Sequence, residues 1–269
     1  MAEQQPWASL AGIPEEYFLT PSSARVWDYW LGGKDNYPAD RAAGDEFIRK
    51  YPEILTIARQ SRKMLARVVR YLAGEAGIRQ FLDIGTGLPT MQNTHEVAQA
   101  IAPESKIVYV DNDPLVLAHA RALLTNTTDE GVTTYVHADV RDPELIIADA
   151  RNVLNFREPL AVLLLGILGH AAATFEEMRS ITAALVDALP TGGYLVIADG
   201  VDTGESAYLE AAAARGYHPR TLDEFRACFD GLELVEPGLV PRNRWRPVFA
   251  EAAEAREPMT SYVAVGRKP

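Results

Sequence analysis

Between residues 80 and 199 the chain alternates short apolar runs with longer amphipathic stretches. The runs at 80–84, 107–111, 133–137, 160–166 and 194–199 carry β-branched, leucine and aromatic residues and predict strands. The stretches at 93–101, 114–124, 143–152 and 175–189 space their apolar residues as helices do. Strand and helix in alternation predict a mostly parallel sheet with helices on both faces, a Rossmann-like α/β fold. The start signals agree. Asp113-Pro114 and Asp142-Pro143 each place a capping acid ahead of a proline, and Thr174-x-x-Glu177 and Thr221-x-x-Glu224 are capping boxes. Two more apolar runs, 232–236 and 261–266, flank a Pro- and Arg-rich loop. They predict an antiparallel pair that brings the sheet to seven strands.

Ahead of the sheet the pattern changes. Residues 1–20 read as an irregular arm. Pro21-Ser22-Ser23 opens a helix from Ala24 to Leu31 with Val26, Trp27, Trp30 and Leu31 on one side, and Gly32-Gly33 ends it. After the loop Lys34–Tyr37 come a short helix from Pro38 to about Lys50 and a longer one from Pro52 to about Ala73. The longer helix carries Arg59, Lys63, Arg67 and Arg70 as a stripe, which reads as a solvated face. The expected organisation is a helical cap over residues 1–75 and a sheet domain over 76–269.

Charge narrows the partners. Lys and Arg number 26 against 37 Asp and Glu, a net charge of −11, which argues against nucleic acid or an anionic membrane as the main partner. One cysteine, Cys228, excludes an intramolecular disulfide and a cysteine-rich metal site, and the five histidines show no metal-ligand spacing. The amino terminus has neither a basic nor an apolar leader region, and no run approaches a membrane span, so the expected location is cytoplasmic.

The chemistry gathers at strand ends. Gln80 to Ile84 reads as a strand that delivers Asp83 and then breaks into Gly85-Thr86-Gly87. Two glycines at the tip of a parallel strand let backbone approach a ligand closely. A dinucleotide fingerprint would read G-x-G-x-x-G; here the order is D-x-G-x-G, with Pro89 following. The next strand delivers Asp111, 24 residues after Gly87, near the interval at which such folds place a ribose-binding acid. A carboxylate accepts two hydrogen bonds from a vicinal diol. Asn112 sits beside it, and Asp139-Val140 and Gly166 follow the third and fourth strands.

The D-x-G-x-G turn resembles the first motif of class I S-adenosylmethionine-dependent methyltransferases. The segment from Ser23 through Arg25, Asp28, Gly32-Gly33 and Asn36-Tyr37 to Arg41 resembles the amino-terminal signature of an actinobacterial methyltransferase family long known only as a domain of unknown function. Similar signatures are Gln80–Thr90, His95–Gln99, Tyr109–Pro114 and Glu236–Val240, so the resemblance spans nearly the whole chain. One departure from the resemblance is Gly169 before His170, where many relatives carry leucine.

The resemblance implies S-adenosylmethionine as methyl donor, held by Asp83, Gly85, Thr86, Gly87 and Gly166. Asp111 is then the ribose acid, with Asn112, Asp139 and Val140 around the adenine. The loop after Gly33 is expected to fold over the cofactor, with Arg25 clamping the methionine carboxylate and Asn36 and Tyr37 at the transfer site. His170, just after the fourth strand, is the candidate general base. A small-molecule acceptor is expected from the acidic surface and the aromatic cap; the residues do not specify the oligomeric state. Two alternatives stand beside this reading, a non-catalytic S-adenosylmethionine sensor and an NAD-dependent oxidoreductase.

Overall fold

A computed structural model describes residues 13–89, 92–123 and 126–269. The first part of the expected irregular arm, residues 1–12, and the end of the helix expected at 114–124 lie outside the described residues. Four helices precede the sheet: α1 (Glu15–Leu19), α2 (Ser23–Trp30), α3 (Pro38–Lys50) and α4 (Ile54–Arg70). Strands and helices then alternate as β1 (Gln80–Ile84), α5 (Thr94–Gln99), β2 (Lys106–Asp111), α6 (Pro114–Leu123), β3 (Val132–His137), α7 (Pro143–Ala150) and β4 (Ala161–Leu165). A single turn α8 (Leu168–Ala171), α9 (Phe175–Ala188), β5 (Tyr194–Gly200), α10 (Ser206–Ala213) and α11 (Leu222–Ala227) follow. The chain closes with β6 (Glu233–Leu234), β7 (Val240–Pro241) and β8 (Ser261–Arg267).

The sheet runs β3-β2-β1-β4-β5-β8-β6, with β7 paired to β8. The first five strands are mutually parallel; β8 runs antiparallel to β5, β6 and β7. Eight strands therefore stand where seven were expected. The extra one is the two-residue β7 from the Pro- and Arg-rich loop, too short to leave a periodic signal. The strand order reverses between β1 and β4. In such sheets the crevice outside the carboxyl ends at that reversal is where ligands bind.

Alternating side chains feed two cores. Leu82, Ile84, Val108 and Val110 face α7 and α9. Phe81, Ile107 and Tyr109 face the opposite layer, where Met64, Leu65, Val68, Val69 and Leu72 of α4 and its π-helical extension meet them. Thus α4 shares the hydrophobic core of the sheet although it precedes residue 76. A third cluster of Phe47, Tyr51, Ile54, Ile57 and Tyr208 joins α3, α4 and α10 beneath the cap.

The basic stripe of α4 is a solvated face only in part: Arg59 and Arg70 are exposed, Lys63 and Arg67 are engaged. Arg67 is buried, donates to the carbonyls of Trp245 and Arg242, and pairs with Glu251 at 2.6 Å; Lys63 pairs with Glu254 at 2.6 Å. The loop between β7 and β8 packs on Lys63 and Arg67, a long-range contact that helical spacing cannot reveal. Among the described residues, no helix is long and apolar enough to cross a membrane.

Candidate functional site

The loop after β1 is pinned to its neighbours. Gly85 N–H donates to the Val110 carbonyl at 2.8 Å, and Gly87 N–H to Asp111 Oδ2 at 2.9 Å. Gly85 has φ +75°, and a Cβ there would stand 2.6 Å from Ile167 Cβ, so glycine lets the β1 and β4 loops touch. Gly87, at φ +67°, has open space where its Cβ would be. The result is a cleft of about 330 Å³ at the β1/β4 reversal, within the usual range of about 300–1,000 Å³ for ligand pockets. Asp83, Gly85, Thr86, Gly87, Asp111, Asn112, Gly166 and His170 all line it. From the cap side Ser22, Ser23, Trp27 and Asp28 of the α2 region and Arg62 and Met64 of α4 close over it.

Electrostatics mark the acids at this cleft. Burial pushes the Asp83 carboxyl up to about 6, against the opposing pull of the Thr94 hydroxyl (2.6 Å) and Arg62. Burial also raises Asp111, partly offset by N–H donors of Asp113 and Gly87. Those two bonds use two of the roughly four acceptor positions of a carboxylate, which leaves capacity for a diol at the cleft wall. Asp113 has two tasks. It caps α6 through Leu115 N–H at 2.9 Å and accepts from Ser22 Oγ at 2.9 Å and from the Tyr17 hydroxyl, tying the cap to the end of β2.

Three cap residues expected at the cofactor lie elsewhere. Arg25 is fully buried away from the cleft; its Nε pairs with Asp40 at 2.8 Å and its Nη2 donates to the carbonyls of Tyr17 and Thr20. A guanidinium so engaged holds the cap together and is not offered to a ligand carboxylate. Asn36 is buried and donates to Asp28 Oδ2 at 2.9 Å and to the Gly33 carbonyl at 3.0 Å. The Tyr37 ring packs edge-on to Phe18 and against the Arg25 guanidinium. Asp139 and Val140 line a smaller cavity of about 170 Å³ beside the main cleft, with Gly85, Asp111 and Asn112. Yet the Asp139 carboxylate already takes Arg141 Nε at 2.9 Å, Arg141 Nη2 at 2.6 Å, Arg141 N–H at 2.9 Å and Asn112 Nδ2 at 3.0 Å. These donors hold it well below the usual carboxylate range, and its acceptor positions are taken rather than presented to a ring amine. Arg62, Arg242, Ser23 and Trp27 replace the missing cap residues at the cleft. Sequence spacing gave no sign of the two arginines, which reach the site only through tertiary packing.

The family model described as S-adenosyl methyltransferase matches residues 18–269. The chain belongs to the S-adenosyl methyltransferase family. It is similar to a DUF574 family protein from Streptomyces avermitilis, 44% identical with TM-score 0.86, over 93% of this chain and 98% of that one. It is also similar to a provisionally assigned methyltransferase from Thermobifida fusca, 41% identical with TM-score 0.85, over 97% of this chain and 99% of that one. A plantazolicin methyltransferase in complex with a triazolic desmethylPZN analogue and SAH shares the fold at 12% identity, TM-score 0.50, over 91% of this chain and 96% of that one. No curated protein matches the chain. This protein is thus an S-adenosylmethionine-dependent methyltransferase. The donor set fits that cofactor: Asp111 has spare acceptor capacity for a ribose diol, Asp83 and Asp28 offer carboxylates toward a cationic group, and Arg62 stands on the same wall.

A third cavity of this methyltransferase, about 70 Å³, lies under the cap. Val26, Trp27, Trp30, Phe47, Ile54, Ile57 and Tyr208 make it largely apolar, and Ser23, Gly166, His170, Arg215 and Arg242 are among its other lining residues. His170 and Ser23 border all three cavities. The His170 ring presents surface to the cleft but is otherwise enclosed by protein. That enclosure, with Arg215 and His218 nearby, brings it down to about 4, so it is neutral at pH 7. Its ring meets Tyr217 edge-on at 4.8 Å. Gly169 is packed on the Tyr217 ring, leaving no room for a Cβ, and its N–H donates to Asp199 at 3.1 Å.

Proposed function

We propose that this methyltransferase acts on a small-molecule acceptor held in the apolar cavity under the cap, with His170 at the junction between acceptor and cofactor. The observation that carries this reading is the meeting of a polar, acid-lined cleft and an apolar, aromatic-lined cavity at His170, Ser23 and Gly166. S-adenosylmethionine supplies an activated methyl group, so the chain has only to bind, align and deprotonate. On the cofactor side, Asp111 receives the ribose hydroxyls, backbone at Gly85, Thr86 and Gly87 gives the close approach, and Arg62 receives the carboxylate. On the acceptor side, the cap helices exclude water, and the neutral His170 imidazole accepts the proton of the reacting group. An imidazole lowered to about 4 is a weak base, which suits an acceptor hydroxyl or other group that is itself acidic. On this reading the cap over 1–75 and the cofactor domain over 76–269 share α4, which packs in the core of the sheet and brings Arg62 to the cofactor side.

The test is a screen of small hydroxylated and aminated aromatic compounds with release of S-adenosylhomocysteine as readout. Turnover of small molecules is expected, with His170→Ala keeping S-adenosylmethionine affinity and losing about 100-fold in turnover. Equal turnover in the variant would remove the base role. Transfer only to protein or nucleic acid would contradict the acceptor class, and binding with no transfer would favour a sensor.

A further inference from the structure

Resting on that reading of the cavity, we infer that the acceptor carries an anionic group, a carboxylate or its equivalent on an apolar ring-sized body, recognised by Arg242 with Arg215. Arg242 is 3% exposed, yet it borders both the main cleft and the apolar cavity. One of its nitrogens donates to Ser61 Oγ, and its Nε has no partner. Among the described residues, no carboxylate oxygen lies within 4.0 Å of it. The acid whose charge acts on it, Asp199, is engaged by the N–H groups of Gly169 and Gly200 and by the Tyr217 hydroxyl. A buried guanidinium with unused donors is costly unless an anion completes it.

Arg215 adds a second, independent cation. It is half-buried at the same cavity, and its guanidinium makes no hydrogen bond or ion pair among the described residues; Asp40 and Glu46 act on it only from beyond ion-pair distance. No Asp or Glu lines this cavity, although the chain as a whole carries a net charge of −11. Two cations and no acid around an apolar wall form an electrostatic well for an amphipathic anion. The cofactor's own carboxylate is an unsuitable occupant for this pair, since Arg215 does not border the main cleft whereas Arg62 does.

The test compares benzoate and indole-3-carboxylate with benzamide and indole-3-carboxamide, each titrated into the S-adenosylhomocysteine-loaded protein and followed by ligand-observed NMR. Each acid is expected to bind about tenfold or more tightly than its amide, the size of a charge-assisted contact. In Arg242→Gln, and more weakly in Arg215→Gln, that preference shrinks to about threefold or less. The comparison on the natural protein needs no variant, so misfolding of one variant leaves it decisive. Equal binding of acids and amides, or binding of neither to protein that holds S-adenosylhomocysteine, would overturn the anionic class while leaving the cofactor reading intact. A persisting acid preference in Arg242→Gln, with S-adenosylhomocysteine affinity lost instead, would also overturn it by assigning Arg242 to the cofactor. Failure of the natural protein to bind S-adenosylhomocysteine would overturn the underlying reading and this inference together.

Discussion

Asp111 shows how one side chain can hold a loop and line a cleft at once. Its carboxylate receives N–H groups from Gly87 and Asp113, so it fixes the glycine loop while keeping acceptor capacity toward the cleft. Asp111→Ala is expected to weaken S-adenosylmethionine binding about tenfold or more in calorimetry, since two hydrogen bonds to a charged acceptor are lost. Unchanged affinity would refute the ribose role. Asp111 was legible because a strand tip at a set interval from the glycines has one geometry. Arg25 lies away from the cleft because its partner, Asp40, is on the next helix, and sequence offers no sign that its Nε is already paired at 2.8 Å. Arg242 was missed for the converse reason. It sits in an irregular loop, and only the fold brings it beside residues 170 and 199.

At the scale of elements, the parallel strands and their helices were legible from residue 80 onward because β-branched runs, caps and turns all agree there. Thr174 and Glu177 bond reciprocally at 3.2 Å, as the sequence box predicts. The two-residue β7 and helix α10 were not legible; the one is set by pairing to β8, the other by packing of Tyr208 and Ala211 beneath the cap. The cap itself is organised by one acid. Asp40 accepts from Arg25 Nε at 2.8 Å, from Ser22 N–H at 2.9 Å and from Tyr37 N–H at 2.8 Å, and is fully buried. Asp40→Asn leaves the Arg25 charge uncompensated, a loss of about 3–5 kcal/mol for a broken buried pair. Hydrogen exchange is expected to show lost protection across α1 and α2 with β1 to β5 still protected. Uniform protection would mean that the cap does not depend on this acid.

For the whole molecule, buried acids couple stability to pH. Asp83 and Asp199 are both raised to about 6 by burial. Between the ordinary carboxylate range and pH 6 the folded state binds more protons than the unfolded state, so their favourable contribution is lost as pH rises through 6. His170, lowered to about 4, acts in the opposite direction over the same range, so the net curve alone does not separate them. Asp83→Asn isolates one acid, because an amide oxygen can still accept from Thr94. Chemical denaturation is expected to show the variant gaining on the natural protein by up to about 3 kcal/mol at pH 7.5, with the gain vanishing near pH 4. A difference independent of pH would mean that Asp83 titrates normally.

The central claim is that the crevice between β1 and β4 holds S-adenosylmethionine. Calorimetric titration of the purified protein with S-adenosylmethionine, S-adenosylhomocysteine and NAD tests it most directly. Micromolar binding of the first two and none of NAD is expected; tight NAD binding with no binding of S-adenosylmethionine would contradict it.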